Sequence, residues 1–121
     1  MATRRKLYFC AMISANALRS FTEQIFLAIG CSESDARLAA DVLVSADLRG
    51  VDSHGVARLP GYVRLYDHGR INPQPRIQIV HETPSTAVID GDKGLGLVVG
   101  PWAMQVAIES ADGRNGLGGR A

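Results

Sequence analysis

A chain of 121 residues, 46% hydrophobic and 21% charged, is long enough to bury one core and has the composition of neither a disordered chain nor a membrane protein. Its 13 basic and 12 acidic side chains leave a net charge of +1, which gives no general attraction to nucleic acid, and no basic patch beyond Arg4, Arg5 and Lys6 supplies a local one. Two cysteines, Cys10 and Cys31, are too few and wrongly spaced for a disulfide framework or a zinc site, so each reads as a small apolar residue and no metal is expected; no apolar run approaches the ~18 residues of a membrane span.

In chain order, Arg4-Arg5-Lys6, the apolar run Leu7 to Ile13 and the small residues Ala15-Asn16-Ala17 have the layout of a short secretory signal. That run is of minimum length, and the helix that follows makes better sense kept whole. Residues 1–13 are therefore read as a disordered leader, with Met12 an alternative start, and the protein as cytoplasmic.

From Ser14, Leu18, Phe21, Thr22, Ile25, Phe26 and Ile29 recur with the 3.6-residue period of a core-facing helix, and Gly30 is placed to end it. Both phenylalanines are expected to pack. Ser32-Glu33-Ser34-Asp35 reads as the N-cap of a second helix, whose Ala36, Ala39, Ala40, Leu43 and Ala46 form a narrow face suited to close helix approach, ending at Gly50. The short Gly30-Cys31 connection predicts an antiparallel helical hairpin. Asp41, Asp47 and Arg49 read most simply as its solvated face, the lesser alternative being that Asp47 and Arg49, close to the segment that follows, line it.

Asp52-Ser53-His54-Gly55-Val56-Ala57-Arg58-Leu59-Pro60-Gly61-Tyr62 gathers an acid, a hydroxyl, an imidazole, a guanidinium and a phenol. A histidine exchanges protons near neutral pH and an arginine grips a carboxylate with paired hydrogen bonds, a combination suited to a small acid that gains or loses a proton. Proline is tolerated in the first turn of a helix and not in its interior, so Pro60 predicts a third helix starting near Ala57 to Leu59 and running to about Asp67, with Ser53 and His54 in the turn before it. Arg58 and Tyr62 then share a face. The bland alternative is that His54 and Arg58 only cap and brace this helix start.

Gly69 stops the third helix, and Ile71-Asn72-Pro73-Gln74-Pro75 reads as an extended linker. Arg76 to Val80 and Thr86 to Asp90 are predicted strands of a β-hairpin around the turn-like Glu82-Thr83-Pro84-Ser85. His68 and His81 are expected to be exposed or capping. Asp90-Gly91-Asp92-Lys93-Gly94-Leu95-Gly96 precedes a helix from about Val98 to Ala111; strand, glycines and helix follow one another as in a dinucleotide fold, but the glycine spacing is not the fingerprint, so a tight turn with close packing is the expectation. Residues 112–121 are glycine-rich and read as a disordered tail. The fold class is α+β.

The motifs Ala46-Asp47-Leu48-Arg49-Gly50-Val51-Asp52-Ser53-His54-Gly55-Val56-Ala57-Arg58-Leu59 with Tyr62, Gly69-Arg70-Ile71-Asn72-Pro73, and Asp90-Gly91-Asp92 with Gly94-Leu95-Gly96 ahead of the Ala103 to Ile108 helix make residues 14–111 resemble the N-terminal part of the malate/L-lactate dehydrogenase family. The resemblance covers most of this chain but only the first part of a typical member. It implies a fragment of a larger α/β oxidoreductase that transfers a hydride between NAD or NADP and a 2-hydroxy or 2-oxo acid, a homodimer in full-length members. It places Ser53, Arg58 and Tyr62 around the substrate and gives His54 the hydroxyl proton. Cofactor-binding residues, with a further lysine or histidine of the active site, are expected outside this segment, so the chain alone is expected to be inactive. The competing reading is a small non-catalytic helical module that binds a partner.

Overall fold

The ends of the first two helices are written into the sequence at the level of single side chains. In the computed structural model, which describes residues 12–113, the Ser14 hydroxyl accepts the Ala17 N–H at 3.1 Å and opens α1 (Ala15–Ala28). Ser32 does the same for Asp35 N–H at 3.2 Å and opens α2 (Glu33–Leu48). Each satisfies a donor that has no partner within its helix. The predicted leader and tail fall mainly on residues outside those described.

Gly30 closes α1 at φ +100, and its N–H and that of Cys31 return to the Leu27 and Phe26 carbonyls at 3.0 and 3.1 Å. This is a glycine-terminated cap, requiring the left-handed backbone that a side chain disfavours. Gly50 and Gly69 end α2 and α3 (Leu59–Asp67) in the same way, as their positions predict.

The α1–α2 pair is antiparallel. Arg19 bonds Asp41 at 2.9 Å and Arg37 approaches Glu23 at 3.9 Å, so residues further along one helix meet residues further back on the other. Between them Phe26, Ala36, Ala39, Ala40, Leu43 and Val44 are at most 1% exposed; the alanines allow close approach, and Phe26 and Leu43 each contribute roughly 1.5–3 kcal/mol by burial. Thr22 is fully buried on the same face, its hydroxyl donating to the Leu18 carbonyl at 2.8 Å. Phe21 departs from the expected packing: it is 57% exposed. It lies at the margin of the stripe, where the neighbouring helix no longer reaches. Cys31 is buried against this core as expected, and burial, reinforced by the nearby Asp35 carboxylate, pushes its thiol above the ordinary value of 9.0. Cys10 lies outside the described residues.

The predicted hairpin exists, displaced along its first strand. Strand β1 (Gln78–Glu82) pairs antiparallel with β2 (Ala87–Asp90), with an irregularity between Ile79 and His81 that leaves Val80 as the extra residue of a bulge. Arg76 is drawn out of the strand because its N–H donates to the Asp92 carboxylate at 2.9 Å. The turn falls on Thr83–Thr86, closed by a 2.6 Å bond between the two threonine hydroxyls, rather than on Glu82 to Ser85. Every residue of β1 is exposed, His81 included.

Helix α4 (Gly96–Ala111) begins two residues before the predicted start, because buried Leu95 anchors it and its carbonyl accepts from both Val98 and Val99 at 2.9 Å. Pro101 therefore falls inside the helix, where it supplies no N–H. Leu95 and Val98 complete the core with Leu59 of α3, while Met104 and Ile108 are 60% and 49% exposed. No helix among the described residues is long and apolar enough to cross a membrane.

Candidate active site

Two consecutive 3₁₀ turns, Asp52–His54 and Val56–Arg58, carry the chain from α2 to α3. They are held by His54 N–H to the Val51 carbonyl at 2.9 Å, Gly55 N–H to Asp52 at 3.2 Å and Arg58 N–H to Gly55 at 3.0 Å. Pro60 then sits in the first turn of α3, where no N–H is needed. The helix start and the placement of Ser53 and His54 before it agree with the sequence reading. Arg58, however, is the capping residue rather than a member of the helix.

The joint between the two turns rests on Asp47. Its Oδ2 accepts the Val56 N–H at 2.9 Å, and a Cβ on Gly55 would collide with the Asp47 carboxylate. The sequence reading of Asp47 as part of a solvated face is thereby corrected: it is half-buried and bonded to the site's backbone, while Arg49 is exposed as expected. A signal for this exists in the sequence. An acid in the last turn of a helix opposes the helix dipole and needs a compensating partner.

In the first turn the exposed Ser53 hydroxyl lies 2.9 Å from His54 Nδ1, so the hydroxyl engages one ring nitrogen and Nε2 remains for another partner. Arg58 and Tyr62 line an open groove of about 800 Å³ along α3, together with Arg64, Leu65, His68 and Arg70. The Tyr62 ring is braced by Phe26, centroids 6.2 Å apart and tilted by 54°. No carboxylate lines this groove, and none of its three arginines is in an ion pair among the described residues.

The structure therefore brings Arg58 and Tyr62 together and places the Ser53–His54 pair on the preceding turn, outside the groove lining. Arg64, His68 and Arg70 were missed as groove residues by the sequence reading. His68 does cap α3, its Nδ1 lying 2.6 Å from the Arg64 carbonyl, yet it also lines the groove. The face set by Arg58 and Tyr62 continues at Leu65 and beyond, and extending that spacing would have found it.

The glycine turn after β2 is closed. Asp92 and Lys93 adopt positive φ, a Cβ on Gly94 would meet Pro75 Cγ at 2.7 Å, and one on Gly91 would meet Val99 at 3.0 Å. Asp92 Oδ2 accepts from both Asn72 Nδ2 and Arg76 N–H at 2.9 Å, while Asn72 N–H donates to the Lys93 carbonyl. The linker after α3 is free of helix and strand but not extended as expected: it bends at Pro73 and Gln74, where Asn72 Oδ1 accepts the Gln74 N–H at 3.1 Å, and Gln74 Nε2 ties it to the Gly30 carbonyl at 3.1 Å. The expected tight turn with close packing is what the glycines serve. No group of three or more His, Cys, Asp or Glu side chains able to hold a metal occurs among the described residues.

Residues 13–119 match the profile of the family described as malate/L-lactate dehydrogenase. The chain is 56% identical over 82 residues to the L-sulfolactate dehydrogenase of Methanocaldococcus jannaschii, covering 68% of this chain and 24% of that protein. It is 48% identical over 106 residues to a malate dehydrogenase of Pyrococcus abyssi, covering 88% of this chain and 29% of the relative. The solved malate dehydrogenase of Pyrococcus horikoshii superimposes with a TM-score of 0.81 at 46% identity, over 84% of this chain and 29% of that one. The chain thus spans less than a third of the length of these relatives.

Proposed function

Because the chain belongs to the malate/L-lactate dehydrogenase family, we propose that it forms the substrate-side portion of an oxidoreductase that transfers a hydride between a nicotinamide cofactor, NAD or NADP, and a 2-hydroxy or 2-oxo acid. The observation that carries this reading is the groove of Arg58 and Tyr62, lined by cations without a carboxylate, next in sequence to a hydrogen-bonded Ser53–His54 pair. Arg58 receives the acid's carboxylate in a bidentate grip. Tyr62, held by Phe26, offers its hydroxyl to orient the acid. His54 takes the hydroxyl proton on oxidation and returns it on reduction, its ring kept in place by Ser53.

The described residues do not fit a dinucleotide: the turn where a pyrophosphate would approach is filled by Pro75 and Val99. Nicotinamide would supply the hydride chemistry, and no described residue is assigned to hold it. Residues 14–111 are read as this portion, flanked by a leader and a glycine-rich tail. A cytoplasmic location, a homodimer in the complete enzyme and no nucleic-acid partner complete the reading. A non-catalytic partner-binding module is not favoured, since the relatives are dehydrogenases over the same segment.

The test exchanges this chain for the matching portion of the Pyrococcus horikoshii enzyme. In that chimera His54→Ala is expected to lower kcat about a hundredfold or more, and Arg58→Ala to raise KM for the acid. An unchanged kcat on His54→Ala would remove the histidine from the mechanism.

A further inference from the structure

We infer that Asp47 is a positioning residue: its carboxylate pins the joint between the turn carrying Ser53 and His54 and the turn carrying Arg58, and so sets the imidazole relative to the guanidinium. The inference rests on the roles given above to His54 and Arg58, and its support is geometric.

The Val56 N–H is the first backbone donor after the joint, and its partner is the Asp47 Oδ2 at 2.9 Å, supplied from a neighbouring helix nine residues back. A charge-assisted bond of this kind is stronger than a neutral one and fixes its donor in direction as well as distance. Gly55 gives the same message from the other side. Its φ of −90 and ψ of −153 are open to any residue, so conformation does not call for glycine there. Proximity does, because any Cβ would occupy the space of the Asp47 carboxylate. No Lys, Arg or His pairs with Asp47 among the described residues, and its position in the last turn of α2 sets it against the helix dipole. An acid so placed is unfavourable for the helix and is compensated by what it holds.

Without this contact the second 3₁₀ turn loses its hydrogen bond to α2 and is left with the Gly55 backbone bonds and the packing of Val56 against the core, and Gly55 is the residue with the fewest steric limits on rotation. The turn carrying Ser53 and His54, closed by the Gly55 N–H on the Asp52 carbonyl, would then loosen at its Gly55 end together with its Ser53–His54 bond, and His54 and Arg58 would lose their mutual orientation, which is what an acid bound through its carboxylate and hydroxyl at once requires.

The experiment uses the ¹⁵N-labelled 121-residue chain, with ring-nitrogen and amide spectra and L-malate as the probe. Asp47→Ala is expected to shift the Val56 amide, to remove the Ser53 hydrogen-bond signature from His54 Nδ1, and to weaken L-malate binding about tenfold or more. Asp47→Asn keeps an oxygen acceptor, so it is expected to retain the His54 signature and affinity within about threefold of the parent. A folded Asp47→Ala chain with parental His54 ring signals and parental affinity overturns the inference, as does an Asp47→Asn chain that behaves like the alanine variant. Should Asp47→Ala fail to fold, Gly55→Ala serves, since its methyl must displace the carboxylate: parental His54 signals in that variant would be the overturning result. If L-malate does not bind the parent chain, the substrate reading fails, and the His54 ring signals still decide whether Asp47 positions that residue.

Discussion

The helical hairpin of α1 and α2 and the β-hairpin with α4 are both rich in apolar residues, yet they treat water in opposite ways. Phe26, Ala36, Ala39 and Leu43 are sealed between two helices. Ile79, Val80 and Val88 are 39%, 55% and 52% exposed, and Met104 and Ile108 continue that exposure along α4. A two-stranded hairpin is marginal in water, and a helix apolar on most sides belongs in the interior of a larger protein. The difference teaches that one half of the described structure satisfies itself and the other half has the character of an interface. The candidate site belongs to the self-sufficient side: its two turns pack on α2, and the groove is lined by residues 57–70.

The largest expected effect that would sharpen this contrast is at Phe26. Phe26→Ala should destabilise the chain by about 3–5 kcal/mol through loss of burial and a residual cavity, read as a lower urea midpoint, and it also removes the brace of Tyr62. Asp92→Ala comes next, at about 1–3 kcal/mol, because it leaves the donors of Asn72 and Arg76 without their shared acceptor; thermal melts would report it, together with loss of protection in the linker by hydrogen exchange. Val80→Ser should change stability by no more than about 0.5 kcal/mol, since the bulge side chain is already in water. A Val80→Ser loss as large as that of Phe26→Ala would break the comparison and show that the hairpin is covered in solution.

The helices were legible because their signals are local. Ser14 and Ser32 start them, Gly30, Gly50 and Gly69 end them, and a 3.6-residue period joins the two. Pro60 placed the turn carrying Ser53 and His54 by a steric rule acting within one residue. The hairpin was legible only in outline, because its register depends on Arg76 bonding Asp92 and on the hydroxyls of Thr83 and Thr86 meeting, neither of which is a property of strand residues. Phe21 was misjudged for a similar reason: a helical stripe says which side is apolar and not how wide its neighbour is.

By itself, then, the sequence determined the ends of α1, α2 and α3, the α+β class, and Ser53, His54, Arg58 and Tyr62 as site candidates, from residue type and spacing along the chain, while the family rested on the resemblance of its motifs. Only the tertiary structure decided that Asp47 leaves the solvated face to hold Val56, that Arg64, His68 and Arg70 share a groove with Arg58, and that Asp92 buckles the linker to the glycine turn. The physical reason is that these contacts depend on how α2, α3 and the linker are set in space. A period or a cap reports where a side chain sits on its own element, and not which distant element it meets.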